Sequence, residues 1–154
     1  MKRTELMSGA IVSIKGDEAK RIRVTGITKK KIQYIDKDTH QPKYLRYSEL
    51  VPIRLTDQVM QDLGFKFRQL SFGDRKVRDW ILILKSKKNE NISFTVTVET
   101  DETLGVNKYR SVHIDDKDYV STGYGFAKDI HELQSIIQST TKLCLDTSYF
   151  MEKC

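Results

Sequence analysis

Lys29, Lys30 and Lys31 stand in a row, and Arg21, Arg23, Tyr44 and Arg46 lie close on either side of them in the chain. Ammonium and guanidinium groups neutralise phosphates, and an exposed tyrosine ring is a platform on which an unpaired base can stack. These seven residues are the candidate nucleic-acid contacts. The same side chains also suit the solvated exterior of a small β-structure, or a protein partner. Nucleic acid is the first reading and a protein partner the alternative.

Other groupings carry less. Asp115, Asp116 and Asp118, near Asp101, Glu102 and His113, offer the oxygen ligands that hard cations take. The glycine and distal glutamate of a calcium loop are missing, so a charged turn between strands is expected. Residues 123–128, Gly-Tyr-Gly-Phe-Ala-Lys, lead toward a predicted helix start but lack the phosphate-loop and dinucleotide fingerprints. They are expected to form a glycine-bearing turn. His40, His113 and His131 are dispersed, with no cysteine at metal-ligand spacing. There is no Gly-x-Ser-x-Gly elbow, and the acids fall in polar, turn-like stretches rather than an apolar cleft. No catalytic residue, metal site or cofactor is expected, and the chain reads as a non-enzyme.

The charge pattern says where a phosphate could bind. The 154 residues carry 27 Lys and Arg against 21 Asp and Glu, a net charge of +6. Residues 1–55 hold 13 basic and 6 acidic side chains, a balance of +7, whereas residues 99–154 hold 6 and 10, a balance of −4. A phosphate ligand therefore belongs to the front of the chain. At 38% hydrophobic and 31% charged, the composition is that of a globular protein able to bury a core without disulfides. The longest apolar run, residues 80–84, is too short to span a bilayer, and no signal-peptide run follows the charged N-terminus. Two cysteines, Cys144 and Cys154, do not make a disulfide framework. A reduced, cytoplasmic protein without membrane contact is expected; the oligomeric state stays open.

The elements that must position the basic residues are short strands. Residues 10–14, 21–27, 31–35, 43–47 and 51–55 alternate or run apolar between turn signals, with Pro52 marking an edge. Five such strands predict a small, strongly curved β-barrel over residues 1–55. Ile22, Val24, Ile32, Leu45 and Tyr47 would face its core, leaving the basic and aromatic residues outside. Thr56 is a natural N-cap for a two-turn helix that Gly64 ends, with Leu55 and Met60 placed as a hydrophobic staple. Residues 56–154 then read as an antiparallel meander with a closing helix. Residues 77–85 would be a central strand covered on both faces, residues 91–98 alternate, and residues 108–114 and 119–124 would follow. The helix is expected over residues 130–144, with Asp129 and Glu132 as a capping box. Ile130, Leu133, Ile137 and Cys144 would form its buried stripe, and His131, Gln134, Gln138 and Lys142 its polar face. The fold class is thus α+β.

Three segments resemble a family of small proteins from Bacteroidetes genomes, prophages and mobile elements that has no assigned activity. They are residues 5–12 (Glu-Leu-Met-Ser-Gly-Ala-Ile-Val), residues 50–65 and residues 130–134 (Ile-His-Glu-Leu-Gln). The middle segment is similar to that family's Pro-Ile-x-Leu-Thr…Leu-Gly-Phe signature. The front of the chain looks like a Tudor- or KOW-type barrel, many of which bind nucleic acid or peptides. The resemblance implies a phage or mobile-element accessory protein, either binding nucleic acid or serving as a virion component or an inhibitor of a host defence protein.

Overall fold

Alternation of apolar and polar residues at the front of the chain produces strands β1 (Ile11–Ile14), β2 (Asp17–Arg23), β3 (Gly26–Ile27), β4 (Lys31–Ile35), β5 (Pro42–Arg46) and β6 (Leu50–Val51). The computed structural model describes residues 1–101 and 110–152. The six strands form two antiparallel three-stranded sheets, ordered β2-β1-β6 and β3-β4-β5. One run of chain serves both. Val24 donates its N–H to Ala10, beside β1, and the next residue, Thr25, donates to Gln33 on β4, each at 2.8 Å. Val12, Ile22, Val24, Ile32, Tyr34 and Leu50 meet in a buried cluster.

This corrects the expected barrel, since no closed barrel forms among the described residues. A 3-10 turn over Tyr47–Glu49 parts β5 from β6, so the two do not pair and the edges stay open. The expected fifth strand also shortens, because Pro52 has no N–H to give to a ladder. Residues 53–55 instead run beside residues 128–130: Ile53 accepts from the Ile130 N–H, and Leu55 donates to Lys128, both at 2.9 Å.

Helix α1 (Asp57–Asp62) starts as its sequence predicts, the Thr56 hydroxyl accepting from the Val59 N–H at 3.2 Å. Gly64, at φ 90°, takes the left-handed conformation that ends it. Strands β7 (Lys66–Phe72), β8 (Arg75–Lys85), β9 (Ser93–Asp101), β10 (Arg110–Asp116) and β11 (Ser121–Ala127) follow as a plain antiparallel meander in spatial order β11-β10-β9-β8-β7. The expected strand over 108–114 begins partly outside the described residues, as do Glu102 and Cys154. Strand β8 is not covered on both faces: Ile83 is 61% exposed. Trp80 and Leu84 alternate with it and lie in the core.

The predicted glycine turn at 123–128 is strand β11. Its glycines admit helix α2 (Ile130–Thr141) to the sheet: a Cβ on Gly123 would fall 2.5 Å from Thr140 Cγ2, and one on Gly125 3.0 Å from Ile136 Cδ1. Helix α2 stops earlier than expected. Thr141 turns its hydroxyl back to the Ile137 carbonyl at 2.7 Å, and Lys142 adopts the left-handed conformation at φ 60°. Cys144 consequently lies beyond the helix and is exposed. A last short helix, α3 (Ser148–Glu152), buries Phe150.

Val59, Met60, Leu63, Val96, Ile114, Ile130 and Phe150 belong to a second buried cluster. Strand β1 feeds both clusters, Val12 entering one and Ile11 the other. No helix among the described residues is long and apolar enough to cross a membrane.

Candidate nucleic-acid interface and a separate cleft

The β4–β5 pairing sets the candidate face. Lys31 stands opposite Arg46, Ile32 opposite Leu45 and Gln33 opposite Tyr44. Ile32 and Tyr34 point into the core, so by alternation Lys31, Gln33, Tyr44 and Arg46 share the outer face. Tyr44 is 58% exposed. Lys29 and Lys30 sit in the turn before β4, which Thr28 holds: its hydroxyl donates to the Lys31 carbonyl at 2.9 Å and accepts the Lys31 N–H at 3.1 Å. Tyr47 pins the same turn through a hydroxyl donated to the Thr28 carbonyl at 2.5 Å. Lys29, Lys30 and Lys31 have no ion-pair partner among the described residues. Arg46 lies 3.9 Å from Glu49, an exposed contact that water screens heavily.

Arg21 and Arg23 stand apart from these five. They lie on β2, in the other sheet, and turn to the C-terminal segment. The Arg21 guanidinium lies 3.8 Å over the Phe150 ring and donates to the Phe150 carbonyl at 2.6 Å. Arg23 donates to the Thr147 hydroxyl at 2.5 Å. Both hold the end of the chain against the front sheet.

The far end of the face is fixed by a residue that the sequence presents only as part of a turn. Asp36 is buried, accepts from the Thr39 N–H at 3.2 Å and hydroxyl at 2.9 Å, and lies 3.5 Å from Lys20 and 3.3 Å from Lys43. The Thr39 hydroxyl above all, with the Thr39 amide and Lys43, holds its carboxyl down to about 2. In the acidic turn, Asp116 accepts from the N–H groups of Asp118 and Val120 at 2.9 and 3.0 Å, so its carboxylate closes the turn.

The start of α2 differs from its sequence pattern in two ways. His131 and Gln134 are buried, not solvated. Gln134 clamps the front of the chain, its Oε1 accepting from the Ile11 N–H at 2.9 Å and its Nε2 donating to the Gly9 carbonyl at 3.0 Å. Nor does the Asp129 side chain cap the helix. Its carboxylate lies 3.6 Å from the Arg54 guanidinium, brought there by the pairing of residues 53–55 with residues 128–130. Asp129, His131 and Glu132 line one wall of a cleft of about 610 Å³, with Met1 and Glu5 also lining it. Burial pushes the His131 imidazole below its ordinary pKa. Burial, then the adjoining Asp129, pushes the Glu132 carboxyl up. The sequence signal for this grouping is the Asp-x-His-Glu string, which reads equally as a helix cap.

Comparison with known proteins finds no match: no family model, no curated protein and no solved structure matches the chain.

Proposed function

We propose that the chain is a non-enzymatic accessory protein that binds nucleic acid through the outer face of β3-β4-β5 and the adjoining Lys29-Lys30 turn. In this reading the two open front sheets, not a closed barrel, serve as the binding module. The observation that supports it is the cross-strand register, which sets Lys31 beside Arg46 and Gln33 beside Tyr44 on one solvent face. Lys29, Lys30, Lys31 and Arg46 would meet phosphates, and Tyr44 would stack on a base. An exposed ring among cations favours unpaired strands over duplex, since paired bases hide their faces. Arg21 and Arg23 contribute indirectly, by holding β2 and the C-terminal segment together.

A pull-down from the source cell with and without nuclease tests the reading, backed by gel shifts on single-stranded and duplex DNA and RNA at several salt concentrations. Capture of nucleic acid that weakens steeply with salt is expected. Salt-independent capture, or none, would sink it.

A second reading has its own support in the face of the five-stranded sheet that α2 leaves open. Tyr124 lies there between His113, tilted against it, and Phe126, met edge to face, with ring centroids 4.7 and 5.2 Å away, and Ile83, Tyr124 and Phe126 are all exposed. Such a surface suits a protein partner, as in a virion component or an inhibitor of a host defence protein. A protein partner that survives nuclease favours this reading.

A further inference from the structure

One wall of the cleft at the start of α2 gathers one imidazole and two carboxylates, and Glu5 lines the same cleft. One ligating atom from each of Asp129, His131 and Glu132 lies within 4.8 Å of the others. Two further observations set this apart from an ordinary acidic helix start. His131 Nδ1, Asp129 Oδ1 and Glu132 Oε1 are buried and have no hydrogen-bond partner in the protein, and the residues carrying the first two are only 3% and 2% exposed. Asp129 Oδ1 has only the 3.6 Å ion pair to Arg54, and His131 Nδ1 and Glu132 Oε1 have no such contact. Buried polar atoms are paired as a rule, and three that lack a hydrogen bond in one spot call for a common partner. The second observation is the failed cap. Asp129 and Glu132 occupy the positions from which a capping box would consume both carboxylates, yet the Asp129 side chain accepts no helix amide.

Two carboxylates held together repel unless a proton or a cation lies between them. A shared proton would satisfy the acids and leave the imidazole nitrogen without a partner. A metal ion satisfies all three. We propose that Asp129, His131 and Glu132 bind one divalent transition-metal ion of the zinc, manganese or iron(II) class. One nitrogen and two oxygen donors suit such borderline ions, whereas calcium takes six or more oxygens. Metal–ligand bonds of about 2.0–2.2 Å put neighbouring donors about 3.4 Å apart in a tetrahedral site, so side-chain rotation is enough to close the cluster. Arg54, which is 56% exposed, can swing away from Asp129 into water. The positive end of the helix opposes a cation, but two full carboxylate charges outweigh its partial charge. The site is independent of the basic face and of any nucleic-acid reading.

The test uses the untagged full chain carrying Cys144→Ser and Cys154→Ser, so that no thiol competes for the ion. After chelation, the protein is titrated calorimetrically with Zn²⁺ and with Mn²⁺, and the Co²⁺ form is examined by visible absorption. One ion per chain is expected, with a Co²⁺ spectrum that includes a nitrogen donor. Glu132→Gln and His131→Asn should each weaken binding at least about tenfold. Asp118→Asn, in the exposed turn, should leave it unchanged. His131 is buried and its variant can unfold, but half-buried Glu132 keeps the test decisive, with circular dichroism verifying its fold. Binding of equal strength in the folded Glu132→Gln variant, or no binding at millimolar ion, overturns the assignment.

Discussion

Replacing Arg21 with alanine separates a structural latch from a ligand contact. The guanidinium makes a 2.6 Å charge-assisted hydrogen bond to the Phe150 carbonyl and lies 3.8 Å over that ring. A hydrogen bond to a charged group contributes about 1.5–3 kcal/mol, and a cation–π contact about 0.5–2 kcal/mol. Arg21 is half-buried, so water reclaims part of both, and a loss of about 2 kcal/mol is expected. For a chain of this length that lowers Tm by about 4–8 °C. Urea denaturation and differential scanning calorimetry measure the loss, and amide exchange should rise over residues 148–152, which form α3. Lys31→Ala, whose side chain has no ion-pair partner among the described residues, should stay within about 0.5 kcal/mol of the parent. Nucleic-acid affinity should follow the opposite order, Lys31→Ala weakening it and Arg21→Ala sparing it at temperatures where the protein is folded. A Tm unchanged in Arg21→Ala, together with weakened binding, would refute the reasoning and return Arg21 to the contact face.

Removing Lys29, Lys30 and Lys31 together should weaken single-strand binding and flatten the plot of log affinity against log salt by about 2 units, without lowering Tm. Gly123→Ala should cost about 1–3 kcal/mol, because the new methyl meets Thr140 Cγ2 at 2.5 Å, and the double variant with Thr140→Ala should recover much of that loss. Asp36 titrates at about 2 in the folded protein against 3.8 ordinarily, so its contribution is complete above about pH 4 and fades as the pH falls toward 2. In Asp36→Asn the acid limb of the stability curve should therefore be shallower, as followed by urea midpoints between pH 5 and pH 2. Gln134→Ala strands the buried Ile11 N–H and the Gly9 carbonyl and should lower stability by about 1–3 kcal/mol, measured by urea denaturation.

What the sequence made legible was local. The Thr56 cap, the Gly64 stop and the alternation in β4 each depend on a few neighbours, and each is present. The barrel was not legible, because closure depends on whether β5 and β6 meet across the Tyr47–Glu49 turn. The polar side of α2 misled for a similar reason. A helical wheel sets His131 and Gln134 opposite the apolar stripe, but it cannot show that residues 9–11 pack on that side. Of the seven candidate contacts, Lys31, Tyr44 and Arg46 share one face because their register is set by one hairpin, and Lys29 and Lys30 sit in the turn that leads into it. Arg21 and Arg23 find partners 129 and 124 residues away, beyond the reach of any periodicity. The Asp129-x-His131-Glu132 string hid in a familiar cap, since only the return of residues 53–55 beside it draws Arg54 to the acid.

The clamp that Gln134 makes on Gly9 and Ile11 has a consequence for the newborn chain. Synthesis runs at roughly 5–20 residues per second, so the front sheets emerge many seconds before the helix that completes them. Until then Ile11 faces water and its N–H lacks the Gln134 oxygen, 123 positions downstream. Arg21 likewise waits for Phe150. Folding of the front sheets in the cell is therefore gated by segments made 123 and 129 residues later. A stop codon just upstream of α2 would release a product with a sticky apolar strand, to be cleared by chaperones and proteases.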